Sequence, residues 1–488
     1  MAGDEQGEMT DATASTAGRE IWRAIGDVIT AHVVMLCEVA VLDDAAGAAL
    51  LRALDGVTAG EPAPASTPSA LVTAFDERLD AVTAAGIVGG GGVGRVRGEV
   101  VATVARLLLR HELLDLADAT ERTRHALLDL ADAQLFTLMP AFSGGQAAQP
   151  TTLAHFLGGI IAPLGRAGTR LQRSYATVNQ SPLGAAALAS VGLPIDRERT
   201  ADLLGCDAPI ANTLDALSAV DHLVETMETA SVIAANLRRF VAEWLAWLRA
   251  EPQAFRLAEG WLAPSDPALP HLRPPSGLEQ LVVDARRIEG EAAAIARIAS
   301  EAPYGPINVT LESVLEPARL LLAEAAGLAE RVARLVAEIE INRAYLGNRA
   351  GRDHTTSSDL ADFLIAEESL EPASARSIAQ MTVRKAIETG IETSGITPEM
   401  IDASALLILG RELGVEREGL GRFLAPRRLL ERRGALGGPA PDATRRYLSL
   451  ERTRLLADHR WQVSARERNE AAAQTREQAS AAILSLVD

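Results

Sequence analysis

The sequence predicts an all-α protein organised around a bundle of unusually long helices. Alanine, leucine, arginine and glutamate are abundant among the 488 residues, and these residue types favour helices. Three stretches have helical patterning over far more residues than an ordinary domain needs, namely 99–139, 212–250 and 315–346. At about 1.5 Å per residue, the first would be roughly 60 Å long. Helices of this length are usually buried on several faces, so we expect an oligomer.

Bulk composition disfavours several classes of function. The formal net charge of −18 argues against nucleic-acid binding, and no run of 18 apolar residues predicts a membrane helix. Cys37 and Cys206 form no disulfide or zinc pattern, and the acidic N-terminus lacks the basic and apolar blocks of a signal peptide. We therefore expect a cytoplasmic protein. The sequence has no phosphate-loop motif and no metal-ligand spacing, so neither a cofactor nor a metal is predicted.

Residues 1–98 are predicted to form an N-terminal helical domain with a disordered start. The first 18 residues are polar, small and acidic, which favours disorder. A helix is expected over residues 19–41, and Asp43 is placed to cap the next helix. Six glycines lie between residues 86 and 94 and contain a GxGxxG pattern. Because no strand precedes this pattern, a dinucleotide site is not favoured.

Residues 99–350 are predicted to form the central bundle. A further helix is expected at 153–173, and the helical pattern breaks at 254–277, where five prolines cluster. Residues 351–488 are predicted to form a small C-terminal helical domain followed by a charged helical tail from Glu451.

Five motifs connect this layout with a known family. They are Gly-Arg-Val-Arg at 94–97, Ser-Pro-Leu-Gly at 181–184, Leu-Pro-Ile-Asp-Arg-Glu at 193–198, Asn-Thr-Leu-Asp-Ala at 212–216 and Ser-Ser-Asp-Leu-Ala-Asp-Phe-Leu at 357–364. On these motifs the chain resembles argininosuccinate lyase, of the aspartase/fumarase superfamily, from about residue 19 to about residue 450. The resemblance implies a fumarase/aspartase-like fold, a homotetramer with a 20-helix core, and active sites shared between subunits.

Enzymes of this superfamily abstract a proton beside a carboxylate and expel an amine or a hydroxyl from the next carbon. The reaction needs a base, donors that hold the carboxylate charge, and an acid for the leaving group. The family's base is a serine on a mobile loop, which aligns here with the proline-rich residues 265–275. Ser265 could replace that base only if the loop shifts by one or two positions. The alternative is a stiff surface loop without a catalytic role.

The residues for proton transfer also differ from the family pattern. Gly144 replaces the shuttling histidine, and Ser143 stands where the family has threonine. Glu279 occupies the place of the glutamate that pairs with that histidine. A buried carboxylate without a partner would have a raised pKa and could act as an acid or base, whereas a solvated Glu279 would not. Ser265, Ser143 and Glu279 are therefore the candidate catalytic residues.

The candidate substrate-binding residues are retained from the family motifs. They are Arg97, Gln149, Ser181 and Asn212. An arginine and neutral donors of this kind can hold one carboxylate. Apolar residues stand where the family has cations, namely Val220, Leu272 and Leu315. Argininosuccinate carries three carboxylates, so the site is poorly suited to it, and we expect a small-molecule carboxylate of lower charge.

Three hypotheses about function remain open. The protein is a lyase with a changed substrate, a non-catalytic homologue kept as a binding or scaffold protein, or an argininosuccinate lyase with substitute residues. His222 and His354 are either new catalytic groups or ordinary packing and surface residues. No nucleic-acid or membrane partner is expected.

Overall fold

The computed structural model describes residues 2–65, 67–84, 87 and 89–487, with side chains from Ala17 onward. Within this part of the chain the helices are α1 (Ala2–Glu38), α2 (Asp44–Ala59), α3 (Pro68–Val82), α4 (Arg97–Ala133), α5 (Leu153–Val178), α6 (Arg197–Leu204), α7 (Thr213–Ser218), α8 (Asp221–Ala250), α9 (Ser276–Ser300), α10 (Asn308–Glu338), α11 (Arg343–Arg349), α12 (Ser358–Ala366), α13 (Pro372–Glu388), α14 (Pro398–Leu409), α15 (Arg417–Leu424), α16 (Pro426–Arg432) and α17 (Pro441–Ser485). The all-α prediction is confirmed, since no strand in this part of the chain has more than 7 residues.

Short strands connect the helices in three two-stranded ladders. They are β1 (Leu138–Ser143) with β2 (Gln146–Thr152), β3 (Gln180–Ser181) with β4 (Ala208–Pro209), and β5 (Phe255–Arg256) with β6 (Glu340–Ile341). The β3–β4 pair is parallel and the other two are antiparallel. These ladders fix the chain where it enters or leaves the long helices.

The central bundle consists of α4, α5, α8, α9 and α10, which pack along their lengths around one apolar core. Helix α5 runs antiparallel to α4. Its first residue, Leu153, donates its N–H to the Thr137 carbonyl just beyond the end of α4, while Arg106 near the start of α4 binds the carbonyls of Thr177 and Val178. The bundle therefore has two distinct ends, separated by the length of these helices.

The predicted long helices exist, but their ends differ from the prediction. The first ends at Ala133 and not at 139, because the following residues enter the β1–β2 hairpin. Gly144 and Gly145 allow that hairpin's tight turn, with φ angles of 59° and 79°. The predicted helix 212–250 is divided between α7 and α8, and the third runs from Asn308 to Glu338 before β6 begins.

The two ends of the chain also depart from the expected layout. Helix α1 begins at Ala2, well ahead of the predicted helix start at residue 19. Helix α17 contains the predicted charged tail, and it lies against α1, α2, α4, α5 and α6. Leu448, Leu455 and Ile483 of α17 belong to the main core. Helices α12 to α15, by contrast, enclose a separate small core.

A buried arginine joins α17 to the bundle. Arg124 of α4 reaches past α5 to the carboxylates of Asp458, at 2.5 Å, and Glu451, at 4.0 Å. Glycines in α5 make this reach possible: a Cβ at Gly165 would lie 2.8 Å from Glu451 Oε2, and one at Gly168 would lie 2.7 Å from Asp458 Oδ2. None of the helices described is long and apolar enough to cross a membrane.

Candidate active site

The predicted site residues lie at opposite ends of the bundle within one subunit. Arg97, Ser181 and Asn212 are at the end where α4 and α8 begin. Ser143, Gln149, Ser265 and Glu279 are at the end where these helices finish. Helix α8 has 30 residues, which corresponds to about 45 Å. A single subunit therefore does not bring the seven residues together.

Arg97 is the first residue of α4, and its side chain is exposed. Across the described residues it forms neither an ion pair nor a side-chain hydrogen bond, so its guanidinium is available to a ligand. Arg95, the other arginine of the motif, is buried and bonds to Asp76 at 2.5 Å and to the Gly91 carbonyl at 2.6 Å. Of the two arginines, Arg97 is the one without a side-chain partner among the described residues.

The Glu99 carboxylate fixes the backbone around Arg97. It is fully buried and accepts hydrogen bonds from the N–H groups of Val96, at 3.0 Å, and Ala186, at 2.6 Å. Burial raises the pKa of Glu99, and the backbone hydrogen bonds from Ala186, Val96 and Gly184 oppose that rise. This contact ties the start of α4 to the loop that follows Ser181. Glu99 therefore does not pair with Arg97, which stays free.

The loop tied by Glu99 has an unusual backbone. Gly184, Ala186, Leu188 and Ser190 all have positive φ angles, of 82°, 51°, 118° and 60°. Three of these are not glycine, and such residues cost of order 1 kcal/mol each unless the surroundings hold them in place. Besides Glu99, the Thr213 hydroxyl holds the loop by donating to the Leu188 carbonyl at 2.6 Å.

Ser181 and Asn212 are placed differently with respect to solvent. Ser181 is fully buried, and its hydroxyl oxygen accepts from Leu183 N–H at 3.3 Å. Asn212 is exposed and caps α7, with its side-chain oxygen accepting from the N–H groups of Leu214 and Asp215. Its amide NH₂ group remains available as a donor. Asn212 is thus open to solvent, whereas Ser181 supports the loop.

At the other end of the bundle, Ser143 is exposed at the tip of the β1–β2 hairpin. Gln149 lies on β2, and its side-chain amide donates to the Ser358 hydroxyl at 3.0 Å. Ser358 donates in turn to Asp359 at 2.9 Å, and Arg433 binds the same carboxylate at 2.7 Å. Burial raises the pKa of Asp359, and Arg433 opposes that rise. This polar chain joins the hairpin to the C-terminal helices.

Hydrogen bonds within the proline-rich loop fix the backbone around Ser265. The Asp266 side chain accepts from Ala268 N–H at 2.7 Å, and Ala263 N–H donates to the Pro274 carbonyl at 2.8 Å. Ser265 itself is exposed. Glu279, in the first turn of α9, is also exposed, and its carboxylate lies 3.9 Å from Arg249. Within the subunit, Glu279 is thus a solvated residue at a helix start.

The two candidate histidines occupy structural positions. His222 is buried, and its Nδ1 lies 3.2 Å from a guanidinium nitrogen of Arg106. Burial lowers the pKa of His222 well below its usual value, and the charge on Arg106 adds to that effect. His354 Nδ1 lies 3.1 Å from the Thr393 hydroxyl. Neither residue is beside Arg97 or the hairpin tip.

The apolar replacements for the family's cations also differ in exposure. Leu315 is only 1% exposed and belongs to the bundle core, so it does not face a ligand. Leu272 is 50% exposed on the proline-rich loop, and Val220 is partly exposed at the start of α8. Neither Val220 nor Leu272 can pair with an anion.

Sequence reasoning missed a cavity of about 570 Å³ behind the hairpin, walled by Phe142, Phe156 and Trp247. Its walls come from segments far apart in the chain, so no local motif could reveal it. The only available signal was the low aromatic content of the chain, because a cluster of rings stands out when aromatic residues are few.

A bundle of five long helices with smaller helical regions at both ends defines this protein as a lyase of the fumarase/aspartase superfamily. A family model described as a lyase matches residues 92–290. The argininosuccinate lyase of Methanoculleus marisnigri is 32% identical over 481 residues, covering 94% of this chain and 93% of the relative. The chain belongs to the argininosuccinate lyase family.

Solved structures agree with this assignment. An EDDS lyase variant with bound fumarate has 26% sequence identity and a TM-score of 0.85, covering 97% of this chain and 94% of that one. EDDS lyase in complex with formate gives a TM-score of 0.86 at the same identity and coverage. The class II fumarase of Schistosoma mansoni, at 14% identity and a TM-score of 0.68, shares the fold.

Proposed function

We propose that the protein is a carbon–nitrogen or carbon–heteroatom lyase acting on a small carboxylic acid other than argininosuccinate. It would work by β-elimination or by the reverse addition. The observation that carries this proposal is the uncommitted, exposed guanidinium of Arg97 at the first residue of α4, held in place by the buried Glu99 clamp. Bound fumarate and formate in the similar EDDS lyase structures are both carboxylates, which supports the same ligand class.

Arg97 would bind the substrate carboxylate through two parallel N–H···O bonds. The first turn of α4 adds free backbone N–H groups and the positive end of a helix dipole. The Asn212 amide supplies a neutral donor. These groups stabilise the negative charge that builds up on the carboxylate when the neighbouring carbon loses its proton.

The other proposed site residues require a second subunit. Subunits packed antiparallel in a homotetramer would bring the hairpin of one beside Arg97 of another. Ser143 and Gln149 would then complete the donor set, and Ser265 or Glu279 would supply the base or acid. The long parallel faces of α8, α9 and α10 support such an arrangement.

The proposed substrate carries fewer charges than argininosuccinate. A second carboxylate near Val220 would have no cation to replace its lost hydration, which costs several kcal/mol for a desolvated ion. A monoanionic acid, or one whose second acid group is an amide, avoids that cost. We therefore expect fumaramate, the monoamide, to bind more tightly than fumarate.

Titration calorimetry with fumaramate tests the proposal. Arg97→Ala should weaken binding by roughly 10- to 100-fold, because it removes a charge-assisted hydrogen-bond pair. Arg170→Ala, which alters an exposed arginine of α5, is the matched control and should leave affinity unchanged. Equal affinities in both variants would rule out Arg97 as the carboxylate site.

A second candidate function is a binding protein without catalysis. The observation that favours it is the internally bonded loop around Ser265, together with Gly144 in place of a histidine. A serine without a nearby base is a weak nucleophile and a weak base. If this candidate is correct, fumaramate binds through Arg97. The protein then catalyses the addition of none of a panel of amines to fumaramate, and it does not cleave argininosuccinate.

A further inference from the structure

We propose that the cavity behind the β1–β2 hairpin binds an organic ammonium group, which is the amine half of the substrate. The cavity has a volume of about 570 Å³ and lies between the hairpin, α5, α8 and the segment after α16. That volume is within the range of small-molecule sites. The assignment to substrate rests on the proposed function, whereas the binding of an ammonium ion does not.

Three aromatic rings line the cavity, and they belong to a larger network of rings. The chain has 5 tryptophans and 8 phenylalanines, and only 3% of its residues are aromatic. Six of those thirteen rings form one connected network of contacts, made of Phe142, Phe156, Phe240, Trp244, Trp247 and Phe255. Trp247 is central, with its ring centroid 4.5 Å from that of Phe156 and 5.8 Å from that of Phe142. Aromatic faces attract organic cations.

The charge in the cavity also favours a cation. Glu243 of α8 lines it, and one carboxylate oxygen accepts from the Trp247 indole N–H at 2.9 Å. Glu243 forms no salt bridge with any residue the structure describes, so its negative charge is not neutralised. Arg433 lines the cavity too, but its guanidinium is bound to the buried Asp359 at 2.7 Å. Of the two ionised side chains that line the cavity, Arg433 thus has an ion-pair partner and Glu243 has none among the described residues.

The histidine in the cavity wall is already used for structure. His155 Nε2 lies 3.1 Å from the Gly437 carbonyl, to which it donates, and Nδ1 lies 2.9 Å from the Thr151 hydroxyl. Both ring nitrogens thus have partners. An ammonium group entering the cavity meets the rings and Glu243 as its main contacts.

The cavity shares Gln149 with the proposed reaction site. Gln149 lines it, and Ser143 is at the tip of the same hairpin. In the elimination, a base takes the proton from the carbon beside the carboxylate, and that C–H electron pair becomes the new C=C bond. The C–N electron pair leaves with the protonated nitrogen of the substrate, and the neutral amine that forms takes up one proton from the acid and departs as an ammonium ion. The departing amine, as its ammonium ion, would be held by Glu243 and the rings.

Calorimetry on the full-length protein tests the cavity with three probes of similar size: butylammonium, butanol and butyrate. Butylammonium should bind at least 10-fold more tightly than the other two. Glu243→Gln should weaken it about 10-fold, since glutamine keeps the acceptor for the Trp247 indole and loses only the charge. Glu228→Gln, an exposed glutamate of the same helix, is the control and should bind like the parent protein.

Two results would overturn the cavity proposal: equal butylammonium affinity in Glu243→Gln and Glu228→Gln, or butyrate binding as tightly as butylammonium. Arg97→Ala separates the two proposals, because it should abolish fumaramate binding and leave butylammonium binding intact. Charge-selective amine binding without any Arg97-dependent carboxylate binding refutes the proposed function and supports the cavity. The reverse pattern refutes the cavity and supports the proposed function.

Discussion

Arg124 and Asp458 form an ion pair that connects the last third of α4 with α17. Their side chains are only 1% and 16% exposed, and Arg124 Nη1 lies 2.5 Å from Asp458 Oδ2. Glu451, which is fully buried, lies 4.0 Å from the same guanidinium, and Gln172 donates to Asp458 at 2.8 Å. The arginine thus supplies a buried polar contact between the bundle and α17, in addition to more exposed pairs such as Arg452 with Asp132 and Arg466 with Asp115.

Arg124→Leu should destabilise the protein by about 3 kcal/mol, because it leaves the largely buried Asp458 carboxylate without its cation, whereas Glu451 keeps its pair with Arg454. Urea denaturation followed by circular dichroism measures the change. Arg122→Leu is the matched control on the same helix, since Arg122 pairs with Glu330 on the exposed surface and such pairs contribute about 1 kcal/mol or less. Similar losses in the two variants would contradict a special role for Arg124.

Gly168→Ala should destabilise the protein by about 1–3 kcal/mol, because the new Cβ would lie 2.7 Å from Asp458 Oδ2 and push α17 away. Gly159→Ala lies on the same helix with no atom within 4 Å of the added Cβ, so it should stabilise by about 0.5–1 kcal/mol. Thermal unfolding of both variants provides the comparison. A stabilised Gly168→Ala variant would show that α17 is not packed against this glycine.

Gly144→His restores the side chain that the family uses at the hairpin tip. No atom lies within 4 Å of the added Cβ, but the φ angle of 59° disfavours any residue other than glycine. We expect a loss of about 1 kcal/mol in stability, because histidine is among the residues that tolerate this conformation. Chemical denaturation measures the loss. A larger loss, above about 3 kcal/mol, would mean that the turn cannot accept a side chain.

Acid should destabilise the protein through its buried histidines. Burial lowers the pKa of His32 to about 4, against the opposing effect of its hydrogen bond to the Val93 carbonyl at 2.7 Å. The unfolded chain takes up a proton near pH 6.5. Stability is therefore lost as pH falls from about 6.5 to about 4, by about 3 kcal/mol for this residue.

Between about pH 4 and 6.5, the unfolded chain binds a proton at His32 that the folded protein does not bind. His32→Gln should remove the contribution of this proton to the slope of unfolding free energy against pH. Urea midpoints at several pH values measure this slope. His125→Gln, on the exposed surface of α4, controls for the substitution itself. An unchanged slope in His32→Gln would show that this histidine is not kept neutral by burial.

The long helices were predictable because their signal is local. A sustained absence of breakers and a helical spacing of leucines define α4, α8 and α10 without knowledge of any contact. Their exact ends were not predictable, because Gln134 to Thr137 and Ile339 to Ile341 have no strong breaker. The chain leaves α4 to form the β1–β2 hairpin, and it leaves α10 to pair β6 with the distant β5.

The candidate site was predictable only as a set of residue types. Arg95 is paired because it binds Asp76, whereas Arg97 is free. Asp76 lies 19 residues before Arg95 and belongs to no motif. The separation of Arg97 from Gln149 by the length of the bundle is also a tertiary property. Leu315 was expected beside the substrate, but it is buried in the core. The face of α10 that points into the core depends on how the helix is rotated about its own axis, and residue spacing alone does not define that rotation.

The position of α17 has a consequence for how the chain is made. Helix α17 leaves the ribosome long after α1, yet it packs against that helix, where Arg476 binds Asp27 at 2.7 Å. At about 5–20 residues per second, α1 waits on the order of a minute for this partner. During that time the surface that α17 will cover remains open. The contact between α1 and α17 therefore forms only after most of the chain has been made, and chaperones have access to the open surface in the meantime.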